Sequence, residues 1–352
     1  MASAKDKIPI NGLRISARLA FIGAQWESAA AGPGAFLKSL AQKRINLPFL
    51  NIIPGGQGPK GFFCMAWDDF HPAALALEGS GSGKAGPETK AVGTLMVYPH
   101  RGSPALLGAV LAALAQAGIC VHAAGSSISA ITVIVDYERL EKAIDCLLEV
   151  LDLAEGHAPF YQELDMERFR FLPPKTAPTH TEDDNSFLRG SKIPVYSISS
   201  KTGLSLVSLP FACQDLAFTG SLLEDAGRQG ASFALAMGQA AGNGSQSLFL
   251  LMEQAPAQEL LQKSGGPGSA QVTGQAESIC LFGPHFEDRY GMADAAISLL
   301  EKEPGLLMGA CCTGTTILLV TPEGRAGRAA EMLEANFMVP KAQPRKKTDP
   351  RA

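Results

Sequence analysis

SPALLGAVLAALAQAGICVHAAGSSISAITVIVDYERLEKAIDCLLEVLD, from Ser103 to Asp152, decides the fold. Ser103-Pro104 is a helix start, with a hydroxyl cap and a proline whose missing N–H falls among the unbonded donors of a first turn. Leu107, Val110, Leu111 and Leu114 recur at helical spacing on one face, and Gly118 closes the helix. Ile119 to Ala124 reads as a short strand and Gly125-Ser126 as a turn; Ile128 to Val135, rich in β-branched residues, reads as the next strand. Glu138 to Leu151 is again helical, with Leu140, Ile144, Leu147, Leu148 and Leu151 on its buried side. With Thr94 to Tyr98 as a strand in front, the order is β-α-β-β-α. That is most of a ferredoxin-like unit, an antiparallel sheet with both helices on one face.

The wording of this stretch resembles the regulatory ACT domains of aspartate kinases. Gly118-Ile119, Ser126 to Ser129, Val133 to Asp136 and Leu140 to Ala143 fall on the family's pattern of helix end, strand end, second strand and second helix. The departure is Cys120, where the family usually has Asn. GMADAAISLLEKEPGLL and EGRAGRAAEMLEANF, near the other end of the chain, resemble the same pattern.

Working outward, the second half echoes the first. Lys7-Ile8-Pro9 recurs as Lys192-Ile193-Pro194, Gly56-Gln57-Gly58 as Gly242-Asn243-Gly244, and Pro99-His100 as Pro284-His285, all at nearly one offset. The expected fold class is therefore α+β: four tandem ferredoxin-like units (βαββαβ, ACT-type) arranged as a duplicated pair. Their expected bounds are 12–90, 91–155, 193–270 and 271–340, with a linker and possible edge strand at 156–192 and a disordered basic tail at 341–352. GSGSGKAGPETK (79–90) and GGPGSAQVTGQ (265–275) read as flexible connectors.

Composition narrows the function. Hydrophobic residues make up 46% of the 352, charged residues 18%, and the net charge is -4, which leaves no electrostatic footprint for nucleic acid or an anionic membrane. No apolar run has signal-peptide or membrane-spanning length. The seven cysteines are odd in number and mostly set in apolar segments, so they read as buried reduced thiols of a cytoplasmic protein.

No catalytic or metal-binding motif stands out, and no cofactor is expected. GSGSGK at 79–84 is one residue short of a phosphate loop, and Ala85 replaces the hydroxyl that would hold Mg²⁺. Cys311-Cys312 is adjacent, so strand alternation sends its sulfurs to opposite faces. The six histidines lie in separate segments.

The resemblance implies a small ligand, usually an amino acid, held where two units pack side by side. A helix N-terminus suits its carboxylate. By position, the contact loops would be Gln25 to Gly34, Pro99 to Pro104, Ala212 to Gly220 and Pro284 to Gly291. The candidate ligand residues are Trp26, Pro33, Gly34, Asn46, His100, Gly102, Ser103, Ser126, Ser127, His285 and Gly291; Asn46 matches the family's Asn after Gly-Ile. Each also has a plain structural reading: loop shaping for the histidines, helix starting for Pro33-Gly34, packing for Trp26, a turn for the serines. The expectation is a stand-alone amino-acid-binding regulatory protein, not an enzyme, with a possible protein partner or homo-oligomer. The alternatives are an assembly module or detached aspartate-kinase-type regulatory subunit with partly lost sites and, behind these, an enzyme with residues scattered in inter-unit clefts.

Overall fold

The computed structural model describes residues 7–27, 32–56, 58–80, 91–162, 192–240, 246–265, 270–283 and 289–339. His285, the polar stretch 173–190 and the tail 341–352 lie outside the described residues.

The fold is mixed α/β. The first run of elements is β1 (Ile8–Ile10), β2 (Gly12–Gln25), α1 (Pro33–Gln42), β3 (Phe49–Ile53), β4 (Lys60–Ala66) and α2 (Phe70–Gly79). The second is β5 (Val92–Tyr98), α3 (Pro104–Gln116), β6 (Val121–Ser126), β7 (Ile131–Asp136), α4 (Leu140–Val150) and β8 (Leu151–Leu153), followed by β9 (Phe160–Gln162). The third is β10 (Ile193–Pro194), β11 (Ser197–Pro210), α5 (Leu216–Arg228), β12 (Phe233–Gln239), β13 (Ser247–Glu253) and α6 (Gln254–Ser264). The fourth is β14 (Gln271–Phe282), α7 (Met292–Leu300), β15 (Gly309–Thr313), β16 (Thr316–Pro322), α8 (Ala326–Leu333) and β17 (Phe337–Met338).

α3 begins where its residues dictate: Ser103 Oγ accepts the Leu106 N–H at 3.3 Å, and Pro104 opens the first turn. The turn between β6 and β7 sits later than Gly125-Ser126. Ser126 is buried at the end of β6, and its Oγ accepts the Ala236 N–H of β12 at 2.8 Å. The chain therefore stays extended through Ser126. Ser127 makes the turn instead, its Oγ accepting the Ala130 N–H at 2.9 Å.

Among the described residues, thirteen strands form one sheet in the order β4-β3-β15-β16-β14-β11-β13-β12-β6-β7-β5-β2-β9, while β1 pairs with β8 and β10 with β17 in two small parallel pairs. β4 also pairs with β2, from Leu19↔Ala66 to Gln25↔Lys60, so all of the thirteen except β9 close into a ring. The two 14-residue strands make this possible: β2 is shared by β4 and β5, and β11 by β13 and β14. The ring is flattened. Asn51 Nδ2 on β3 donates across it to the Ala124 carbonyl on β6 (2.6 Å) and the Gly238 carbonyl on β12 (3.1 Å), while Thr132 on β7 meets Thr313 on β15 at 2.9 Å.

Helices cover the outside over two large apolar clusters. One joins α3, α4, α5 and α6 to the sheet through Leu107, Leu111, Leu147, Leu223 and Leu260; the other joins α1, α7 and α8 through Leu37, Ile297 and Leu333. Alternation divides the adjacent cysteines, Cys311 facing the inner cluster and Cys312 the outer. The expectation of seven reduced thiols fails, because Cys120 and Cys213 form a disulfide. Both are exposed, whereas Cys64, Cys280, Cys311 and Cys312 are buried thiols. Their spacing in sequence carried no sign of the pairing, which the packing of α3 beside α5 creates.

Candidate functional site

Two seams join the runs side by side. In one, β3 pairs with β15 and α1 lies along α7; in the other, β6 pairs with β12 and α3 lies along α5. At each seam the turn after a helix approaches the loop before the neighbouring helix.

Three of these turns share one backbone closure. Ile45 N–H donates to Leu40, Ile119 N–H to Leu114 and Ala231 N–H to Ala226, each five residues back. The residues that follow are therefore equivalent: Asn46, Cys120 and Ser232. They meet different fates.

Ser232 faces a closed contact. Phe233 N–H donates to the Gly102 carbonyl at 2.9 Å, and the Phe233 ring stacks on His100 with centroids 5.2 Å apart. His100 is itself fully engaged. Its Nδ1 accepts the Gly102 N–H at 2.8 Å, so Nε2 carries the proton and donates to the Ser127 carbonyl at 3.0 Å. Burial lowers its pKa, which favours this neutral tautomer. Gly102 takes a φ of +67°, the left-handed conformation that suits glycine. His100, Gly102, Ser103, Ser126 and Ser127 thus shape this loop and seam. Cys120 is closed off too, by its bond to Cys213.

Of the three, Asn46 borders a cleft. The cleft is shallow, about 20 Å³ within and about 300 Å³ when the open solvent at its mouth is counted, and lies between α1, the turn Ile45-Asn46-Leu47, the loop Arg289-Tyr290-Gly291 and the start of α7. Leu37, Leu40, Ile45, Leu47, Met292 and Cys312 make the walls apolar. α7 begins at the cleft, and its N-cap, Gly291, has φ +81° and brings no side-chain acceptor to the first turn. That leaves the helix end suited to an anion. Arg289 adds a cation and Asp294 a carboxylate. Burial raises the Asp294 pKa, opposed by the Ser298 hydroxyl and by Lys38. A molecule carrying both a carboxylate and an ammonium finds complementary groups here.

The candidates in the first run do not join this cleft, apart from Asn46. Trp26 is fully buried, edge-on to Phe63 at 6.1 Å, and its Nε1 has no partner among the described residues. Pro33 is a buried helix-starting residue. Gly34 serves packing: its N–H donates to Glu301 Oε2 at 2.9 Å, and a Cβ there would meet that oxygen at 2.2 Å. Of the residues singled out from sequence, the structure brings together Asn46 and Gly291. Arg289 and Asp294 were not singled out, although Arg289 lies inside the loop Pro284 to Gly291. Asp294 reads in sequence as an ordinary first-turn acid.

No family model and no curated protein matches the sequence. Among solved structures, aspartate kinase from Synechocystis matches with a TM-score of 0.69 over 93% of this chain, at 13% identity. The fold is similar to that of an aspartate kinase. This chain spans 55% of the length of that aspartate kinase. The regulatory subunit of aspartate kinase from Thermus thermophilus matches at a TM-score of 0.36 and 19% identity, over 41% of this chain and 99% of that one. Aspartokinase III from E. coli, in complex with aspartate and ADP, matches at 0.33 and 15% identity, over 40% of this chain and 33% of that one. These two likenesses are partial.

Two expectations are corrected by the aspartate kinase match. The stand-alone sensor and the non-enzyme both give way, because the likeness to an aspartate kinase extends over 93% of this chain. Among the described residues, no helix is long and apolar enough to cross a membrane, and no three His, Cys, Asp or Glu side chains are grouped to hold a metal ion.

Proposed function

We propose that this chain works within an aspartate-kinase-type enzyme of the cytoplasm, and that an amino acid acts on it at the cleft beside Asn46. In this reading the four strand-helix-strand-strand-helix runs are ferredoxin-like units, duplicated as a pair, at 12–90, 91–155, 193–270 and 271–340. The fold likeness supports the enzyme class. The carrying observation for the ligand is that Asn46, Arg289, Asp294 and the uncapped start of α7 converge on one apolar-walled cleft.

The chemistry follows from the groups present. The ligand's carboxylate takes the α7 N-terminus and Arg289, and its ammonium takes Asp294 and the Asn46 side-chain oxygen. Bringing an ammonium beside Asp294 lowers the pKa that burial has raised. Because the cleft is lined from both β3's turn and α7's start, occupancy links two runs far apart in sequence. That is the physical requirement for coupling a ligand to a distant site.

The experiment is phosphoryl transfer from ATP to aspartate by the native protein, read as ADP release, with each amino acid added in turn. The expected result is aspartate-dependent ADP release that one amino acid alters, with the response lost in Asn46→Ala and Arg289→Ala. Absence of aspartate-dependent turnover overturns the enzyme class. A response that survives both substitutions overturns the cleft.

A further inference from the structure

We propose that the Cys120–Cys213 disulfide is a reversible redox latch on the seam between α3 and α5, opened by a dithiol reductant. The bond joins the residue before β6 to the short turn leading into α5, 93 residues away in sequence. The Cα atoms stand 4.9 Å apart, inside the ordinary range for such bonds. Both cysteines are exposed, so a reductant reaches them without unfolding the chain.

The other cysteines do not compete. Burial pushes the Cys280 thiol up to about 11 and raises those of Cys64 and Cys311 further, so none offers a thiolate for exchange near neutrality. Cys146 is half-buried and its pKa is also raised, first by burial. The chain thus holds one exposed cysteine pair amid inert thiols, as a selective redox site requires.

Location gives the latch a consequence. Cys120 occupies the position that Asn46 holds in the other seam, where the facing loop stands back to leave a cleft. At Cys120 the facing loop is drawn in and bonded. The far end of the same seam is held separately by Phe233 on His100 and Gly102. Opening the disulfide therefore frees the loop before α5 while the helix pair stays docked.

The chemistry balances. One thiolate of the dithiol attacks a cysteine sulfur, forming a mixed disulfide and releasing the other cysteine as a thiolate that takes up a proton. The reductant's second thiolate then displaces the remaining cysteine, leaving two protein thiols and a cyclic disulfide. The latch does not depend on what the Asn46 cleft binds.

The test uses the full chain, purified without reductant, with thiols alkylated in denaturant and counted by mass. Of the seven cysteines, the five free ones are expected to react, and all seven after native-state treatment with dithiothreitol. Hydrogen exchange at 213–220 should rise by about tenfold on reduction. It should be fast from the outset in Cys213→Ser, and follow the parent in Cys146→Ser. Seven reactive thiols before reduction, a pair that opens only in denaturant, or unchanged exchange at 213–220 would each overturn the proposal.

Discussion

Gly108→Ala is the sharpest probe of how the two halves meet. Gly108 lies in α3 where it faces α5, and a Cβ there would stand 2.4 Å from the Gly220 carbonyl oxygen and 2.7 Å from the Glu224 nitrogen. Both are main-chain atoms, so no rotamer change relieves the clash. Gly220 reciprocates, since its own Cβ would meet the Gly108 carbonyl oxygen at 2.8 Å. The helices must part, and overpacking of this kind costs about 1–3 kcal/mol. We take the upper end because the backbone on both sides is fixed. Alanine returns about 1 kcal/mol through helix propensity, leaving a net loss of about 2 kcal/mol. With an unfolding entropy of about 2.1 cal/mol/K per residue, that lowers the melting temperature by about 3 °C. Gly327→Ala in α8 is the control of opposite sign. Nothing lies within 4 Å of its Cβ position, so it gains about 0.5 kcal/mol, or somewhat under 1 °C. Both are read by thermal denaturation beside the parent. A Gly108→Ala protein that melts at or above the parent would refute the close crossing of α3 and α5.

Three further outcomes are expected. Glu301, whose pKa burial pushes up to about 7, holds its proton more tightly folded than unfolded; its contribution is full below about 4.5 and lost as pH rises through about 7. The groups facing it are the Gly34 N–H, Asp294 and Ser298, with Lys38 beside Asp294. Glu301→Gln keeps an acceptor for Gly34, so its melting temperature should exceed the parent's at pH 8 and converge with it at pH 4; parallel profiles would contradict this. Ser126→Ala strands the buried Ala236 N–H and should cost about 1–3 kcal/mol in chemical denaturation, whereas a neutral result means the bond across the seam is not formed. Asn46→Ala should abolish an amino-acid-induced rise in melting temperature while Ser232→Ala, at the equivalent but closed position, leaves it intact; equal losses would remove the distinction between the seams.

The helices with strong apolar stripes were legible in the sequence because periodicity and caps agree there. Ser103-Pro104 marks the start of α3 to the residue, and Pro33 that of α1. Closure of the sheet was not legible. It depends on β2 and β11, each 14 residues long, serving two neighbours, which no local pattern shows. Trp26 packs edge-on to Phe63, the plain reading of an aromatic in that loop, but its full burial needs a strand that local sequence does not show. The serines after β6 were assigned to a turn, but Ser126 is needed by a strand from the other half, a partner no local pattern shows. Asn46 was named through the family resemblance, and Gly291 as the end of a loop carried over by position. Arg289 and Asp294 matter only through the approach of α7 to α1.

The same turn thus carries three chemistries at Asn46, Cys120 and Ser232, and packing explains why. α3 and α5 press backbone to backbone through Gly108, Gly220 and Gly227, the last of which would place a Cβ 2.4 Å from the Ala105 nitrogen. Helices that close draw their flanking loops inward, so Phe233 reaches His100 and Cys213 reaches Cys120. α1 and α7 are held apart by larger groups: Glu301 and Ser298 stand between α7 and Gly34, and even a Cβ added at Gly291 would stand 3.5 Å from the Ala41 Cβ. That spacing moves the loop Arg289-Tyr290-Gly291 back from Asn46 and leaves room for the cleft. The choice of small or acidic residues along a helix pair therefore decides whether the end of each seam is a bond, a stack or a space. Replacing Glu301 by alanine should draw α1 and α7 together and shrink the cleft while every residue that lines it is kept, read as a smaller amino-acid-induced rise in melting temperature; an undiminished rise would refute the spacing argument.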